Sequence, residues 1–237
     1  AAAVAAARAA DRPDQEARAE TAWGRVALFG GQADAAIGHA TAAVAAARRG
    51  GRPAVLSQAL NAAGALIVQR DPARAGEAMA LLDEAIAIAR RLGDRLGEAF
   101  ALEGLGNARL GAGDLAGAAE AFAGNAVAAE AVGWEVELLA ARLAVARVAA
   151  DRGRHHEAAR AAADVARRAG AANRAFVRGL ALAVEGAARW RGARPDEAAP
   201  VLAEALGVAE TLKNAYMEGY VRLYRVEAAL AAGDLAA

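Results

Sequence analysis

GLGNARLGAGDLAGAAEAF, residues 104–122, carries the spacing on which the whole chain is built. Leu105-Gly106 falls in the middle of one helix, Gly113-Asp114 makes a turn, and Ala118 and Phe122 lie one helical turn apart on the next helix. Small residues recur in the position of Gly106 at Gly24, Gly64, Ala146 and Gly186, so successive copies stand 40, 42, 40 and 40 residues apart. The position of Ala118 keeps step through Ala36, Ala78, Ala158 and Ala198, and Val226 with Gly233-Asp234 opens a sixth copy. Self-similarity of this kind means a stacked array, in which each unit buries its apolar face against its neighbours.

The pattern predicts an all-α fold, a right-handed superhelical solenoid of antiparallel helix pairs with a period of about 40 residues. The chain reads as one helical-repeat domain over 1–237, a segment of a longer solenoid. Its repeats fall at 13–50, 53–93, 94–133, 134–170 and 171–214, with a partial one at 215–237. Eleven substantially complete helices, a short N-terminal remnant and no strand are expected. Pro13 and Pro53 suit helix starts, and Asp94 and Asp114 suit N-caps that satisfy free N–H groups. Gly50, Gly93, Gly133, Gly170 and Asn214 suit left-handed C-terminal caps. Internal turns are read at Gly30-Gly31, Asp71-Pro72, Gly113, Gly153 and Gly192, the second being longer and accounting for the 42-residue interval. Pro200 is placed in a first turn capped by Asp196. Glycine inside a helix costs about 1 kcal/mol relative to alanine, so its recurrence mid-helix implies a neighbour that leaves no room for a Cβ.

Composition narrows the function classes. Apolar residues make up 57% and aromatics only 4%, so alanine carries much of the burial and the helices must approach closely. The 28 basic residues balance 28 acidic ones, which gives no general pull toward nucleic acid or an anionic membrane. Only Lys213 among the basic residues is a lysine, a bias expected of a high-GC bacterial genome. Without cysteine, disulfides and thiolate metal sites are excluded and a reducing, cytoplasmic setting is permitted. No apolar run reaches the roughly 18 residues needed to span a bilayer, and the start does not read as a signal peptide.

Leu105-Gly106, the Gly113-Asp114 turn, Ala118 and Phe122 together resemble the tetratricopeptide repeat family, in order and in spacing. Trp23-Gly24 with Ala36, Gly64 with Ala78, and Gly186 with Ala198 keep the small residues, and Ala146 replaces the glycine in the fourth copy. The period exceeds the roughly 34 residues of the standard repeat. The junction RRLGDRLGEA, Arg90 to Ala99, is similar to sensor segments of large bacterial regulators: MalT-like and LuxR-type ATPase regulators and actinobacterial antibiotic regulatory proteins. The resemblance implies a non-catalytic recognition or scaffold segment in signal transduction or transcriptional control. It would bind a protein segment or a small effector in a concave groove; the alternative is self-association or interdomain docking through the exposed ends.

Catalytic and metal signatures are not found. His155-His156-Glu157 lacks a histidine at helical ligand spacing and any cysteine partner. Gly104-Leu105-Gly106 follows no strand, and Lys213 has no glycine-rich approach. Ser57 has no histidine near it in sequence. The basic pairs Arg48-Arg49, Arg90-Arg91 and Arg167-Arg168 stand in last helical turns, where cations complement the helix dipole. No enzyme, cofactor, metal or direct nucleic-acid partner is therefore expected.

The tetratricopeptide resemblance implies that the first helix of each pair lines the groove. It assigns to that surface Arg18, Arg25, Asn61, Asn107 and Arg147, with Thr21, Gln58 and Glu103 beside them. Leu143, Trp190, Tyr220 and Leu223 follow toward the C-terminal half. A polar, donor-rich half and an apolar half are expected.

Overall fold

A computed structural model describes residues 2–232, and among them are twelve α-helices and no strand. The chain is all-α, a run of antiparallel helix pairs, as the repeat predicts. The Gly233-Asp234 turn of the sixth copy lies outside the described residues. Two compact units are formed, Ala1–Val132 and Gly133–Ala237. The first contains α1 (Ala2–Ala9), α2 (Pro13–Phe29), α3 (Ala33–Gly50), α4 (Pro53–Arg70), α5 (Ala75–Leu92), α6 (Arg95–Gly111) and α7 (Leu115–Ala131), with a single 3-10 turn at Pro72–Arg74. The second contains α8 (Glu135–Asp151), α9 (His155–Ala171), α10 (Ala175–Arg191), α11 (Pro195–Thr211) and α12 (Ala215–Ala232). Thus α2 to α12 are the eleven expected helices and α1 is the remnant.

Local chemistry sets most of the boundaries. Pro13 and Pro53 occupy the first turns of α2 and α4, where a missing N–H costs nothing. Asp94 accepts a hydrogen bond from the Gly97 N–H at 2.8 Å, and Asp114 accepts one from Gly117 N–H at 2.9 Å. Gly31, Gly51, Gly93, Gly113, Gly133 and Gly153 take the left-handed conformation in the turns.

Three expected caps are corrected. Gly50 is the last residue of α3, and Gly51 makes the left-handed cap. Helix α9 continues through Gly170, and Asn173 (φ 54) makes the turn. Lys213 (φ 50), not Asn214, is left-handed; the turn expected at Gly192 is present, with Ala193 (φ 60) as its left-handed residue. The Asn214 side chain instead accepts from the Met217 N–H at 2.9 Å, capping the start of α12. Pro200 is also displaced: α11 begins at Pro195 with Arg194 as N-cap, so Pro200 is past the first turn and the Asp196 carbonyl loses its helical donor.

The cores are built by a large residue set against glycine. A Cβ on Gly64 would lie 2.6 Å from Leu82 Cγ, and one on Gly104 would lie 2.9 Å from Leu82 Cδ2. Leu82 of α5 therefore wedges between two first helices, α4 and α6. Gly106 meets Phe122 in the same way at 2.5 Å, and Gly186 meets Leu202 at 2.6 Å. Leu82, Phe122 and Leu202 each follow the repeat alanine by four residues. Where that position is small, glycine is not required: Ala146 shares a core with Ala162 in the fourth copy. A Cβ on Gly24, with Ala40 in the equivalent position, would find only ordinary contacts of 3.4 Å and longer.

Buried carboxylates lock the junctions. Glu16 accepts from Arg8 of α1 and Arg49 of α3, each at 2.6 Å, and Glu98 accepts from Arg90 of α5 at 2.7 Å and Arg95 at 2.8 Å. The Arg8 hydrogen bond holds the Glu16 carboxyl below the ordinary value. Burial alone would raise that of Glu98, but the bonds from Arg90 and Arg95 outweigh it and hold it low. Of the basic pairs, Arg48 also bonds Glu84, and Arg167 and Arg168 both pair with Asp164, so specific partners add to the dipole effect.

Candidate recognition surface

The repeat interval identifies which positions of the first helices share a face. In the first unit the rows are Arg18, Gln58 and Phe100; then Thr21, Asn61 and Glu103; then Arg25, Ala65 and Asn107. Two helical turns separate Arg18 from Arg25 on α2, a rise of roughly 10 Å, so both guanidinium groups flank the space above Thr21. With Gln58 and Asn61 of α4 they line one concavity of about 380 Å³. Neither arginine forms an ion pair among the described residues. The Asn61 Oδ1 is buried and accepts no hydrogen bond. A buried acceptor left unmade costs the desolvation of its lone pairs, so this surface has an unused binding capacity.

Asn107 is half-buried one helix further on, in α6, and does not line that concavity. In the second unit Arg147 is half-buried with its Nε unpartnered. Leu143 is buried within the core rather than facing a groove. Tyr220 packs at the edge of the same core, and Leu223 is 55% exposed.

Trp190 belongs to a different face. It stands one helical turn beyond Gly186, the residue that abuts Leu202 of α11, and two turns beyond Ala183. The indole lines a concavity of about 680 Å³ with Leu202 and Leu206 of α11 and Arg222 and Val226 of α12. The repeat interval alone does not exclude it, because seven residues from Ala183 return it to nearly the same phase. The same interval would have found the large residues that were missed: Phe176 and Tyr216 stand 40 apart at one position of α10 and α12, 46% and 72% exposed, and Phe100 occupies the Arg18 position in α6.

Away from these faces, His156 Nδ1 lies 2.7 Å from an Arg194 amine, and His155 Nδ1 is buried without a partner. Among the described residues no group of three side chains could hold a metal ion, and no helix is long and apolar enough to cross a membrane.

No protein-family model and no curated protein matches the chain. Solved structures do. A kinesin-light-chain type protein of Podosopora anserina with nearly identical TPR-like repeats superposes with a TM-score of 0.71 at 18% identity, covering 84% of this chain and 97% of the other. A single-substitution variant of that protein gives 0.73 at 17% identity, covering 85% and 98%. Aspartyl phosphate phosphatase F from Bacillus subtilis gives 0.77 at 9% identity over 90% of this chain, which spans 55% of that protein. At these identities the likeness concerns architecture, and the architecture is that of TPR-like helical repeats.

Proposed function

We propose that this chain is a non-catalytic recognition segment that binds an extended protein segment on its first-helix surface. The observation that carries the reading is the concavity between α2 and α4, where Arg18 and Arg25 lack internal counter-charges and Asn61 Oδ1 lacks a donor. A ligand that completes this site brings a carboxylate or other acidic group for the arginines and an N–H for the asparagine. An acidic peptide supplies both, since arginine pairs strongly with carboxylates; a small acidic effector with an amide would satisfy the same groups. The resemblance of Arg90 to Ala99 to regulator sensor segments supports a place in a cytoplasmic bacterial signalling or transcriptional regulator.

The test is titration of a glutamate-rich peptide at two salt concentrations, against the wild-type chain and R18A/R25A. The wild type should bind with an affinity that falls with salt, and the variant should lose both affinity and salt dependence. Equal binding by the two proteins would overturn the assignment.

One observation favours a second reading, assembly through the outer face of α2. Val26 is 57% exposed, whereas the residues in its position in later copies, Leu66, Ala108, Val148 and Ala188, are 6%, 1%, 0% and 1% exposed. A position that is core in copies two to five is a stacking face here, extended by Trp23 and Phe29.

A further inference from the structure

Helix α12 carries tyrosines at 216, 220 and 224, one helical turn apart, in a chain with few aromatics. The rings of Tyr216 and Tyr220 are nearly parallel, 11° apart with centroids 6.3 Å apart, and Tyr224 meets Tyr220 edge-on at 4.8 Å. Tyr224 is pinned from below. The Arg191 guanidinium lies 5.5 Å from its ring centroid, and its hydroxyl donates to the Tyr220 oxygen at 2.7 Å. Burial, and then this donated bond, push the Tyr224 hydroxyl well above its ordinary pKa, so it keeps its proton. Tyr220 therefore accepts from Tyr224, and its own proton has no acceptor among the described residues. Outward of this pair Tyr216 is 72% exposed. On α10, Phe176 and Leu180 occupy the positions of Tyr216 and Tyr220, and Leu180 shares the core edge with Tyr220.

The result is a preorganised strip of aromatic rings with one hydroxyl proton that no described residue accepts. Its chemistry discriminates among the ways a peptide can dock. An added β-strand needs a sheet edge, and the described residues contain no strand. An amphipathic helix commits its carbonyls to internal hydrogen bonds except in its last turn, so along most of its length its backbone offers no free acceptor to the Tyr220 hydroxyl. A polyproline II segment has no internal hydrogen bonds, presents free carbonyls, and offers flat pyrrolidine rings to aromatic faces at little entropic cost.

We propose that the α10–α12 face, through Tyr216 and Tyr220, is a docking surface for a proline-rich segment in the polyproline II conformation. This rests on the chain being a protein-recognition segment, but not on the α2–α4 concavity.

The experiment uses decaproline as the probe, titrated into the full chain by calorimetry, with an alanine-lysine helical peptide as the comparison. Decaproline should bind and the helical peptide should not. Tyr216→Ala should weaken decaproline binding by about tenfold or more, as expected for a central aromatic anchor. Tyr220→Phe, which keeps the ring and the fold and removes only the donor, should weaken it by about three- to tenfold. Absence of decaproline binding, preference for the helical peptide, or an unchanged affinity in Tyr220→Phe would overturn the proposal. Because the acidic-peptide titration reports on Arg18 and Arg25 in the other unit, loss of decaproline binding with retained acidic-peptide binding refutes only the proline-rich partner.

Discussion

Replacing Gly106 with alanine tests the rule by which these helices pack. The new Cβ would stand 2.5, 2.6 and 2.8 Å from Cε1, Cδ1 and Cζ of Phe122, where carbon atoms prefer about 3.5 to 4.0 Å. The ring cannot step aside into solvent, because Phe122 is only 1% exposed. Overpacking of this kind costs about 1 to 3 kcal/mol, while alanine gains about 1 kcal/mol over glycine in helix propensity. The net expectation is a destabilisation between about 0 and 2 kcal/mol, from a substitution that ordinarily stabilises a helix. Gly24→Ala is the internal control: its nearest contacts would be the Ala36 carbonyl at 3.4 Å and His39 Cβ at 3.6 Å, so the propensity gain should emerge as added stability. Truncating the wedge reverses the first result. Phe122→Ala alone should cost about 3 to 5 kcal/mol, and in that background Gly106→Ala should become stabilising, because the pair then matches Ala146 and Ala162 of the fourth copy. Urea denaturation followed by far-UV circular dichroism gives the four stabilities of the cycle. A coupling of about 1 to 3 kcal/mol is expected; additive effects, or Gly106→Ala and Gly24→Ala sharing a sign, would refute the wedge argument.

Acid should act on the junctions. A carboxylate whose folded pKa is depressed adds stability above its unfolded value near 4.5 and loses it as pH falls through the folded value, so melting temperature should drop below about pH 4.5 and Glu98→Gln should flatten that drop. Glu185 has the opposite sign: burial raises its carboxyl against the pull of Arg189, so its contribution is largest in acid, and Glu185→Gln should stabilise the chain at neutral pH relative to acid. Val26→Glu should abolish any concentration-dependent association seen by analytical ultracentrifugation, and association that persists would exclude the α2 face. Pro200→Ala restores a donor to the Asp196 carbonyl and should raise stability by about 1 to 3 kcal/mol in thermal melts.

The repeat was legible because it is written in backbone terms. Prolines at first turns, aspartates at caps and small residues at a fixed interval each act within a few residues of their own position, so α2 can be read to its ends from sequence, Pro13–Phe29. Left-handed turn residues were harder. Asn173, Ala193 and Lys213 adopt a conformation that costs a side chain about 1 to 2 kcal/mol, each one residue before an N–H (Arg174, Arg194, Asn214) that closes the turn on a carbonyl five residues back (Ala169, Arg189, Ala209), a long-reach bond that residue type alone does not announce. Glycine at the repeat position was legible as close packing, but its partner was not, because the residue that fills the space lies on another helix.

The surface obeys the same division. Arg18, Arg25 and Asn61 come together because three first-helix positions and one repeat interval place them, and both numbers can be read from sequence. Trp190 stands two turns past Ala183 and nearly in phase with it, since a helix advances about 100° per residue, yet its indole lines the concavity with Leu202 and Leu206 of α11. Side-chain chemistry nominates a residue and phase places its Cα, but the neighbouring helix decides where the side chain lies. In the second unit the aromatic contribution is then assigned to Tyr216, which is exposed, and to Tyr220, whose hydroxyl proton no described residue accepts. The donor-rich face and the aromatic face then belong to different units. Substitutions at Arg18 and Arg25 should consequently weaken binding of the acidic peptide alone, and those at Tyr216 and Tyr220 binding of decaproline alone. A tyrosine substitution that also weakens the acidic peptide would refute the assignment of these two chemistries to separate surfaces.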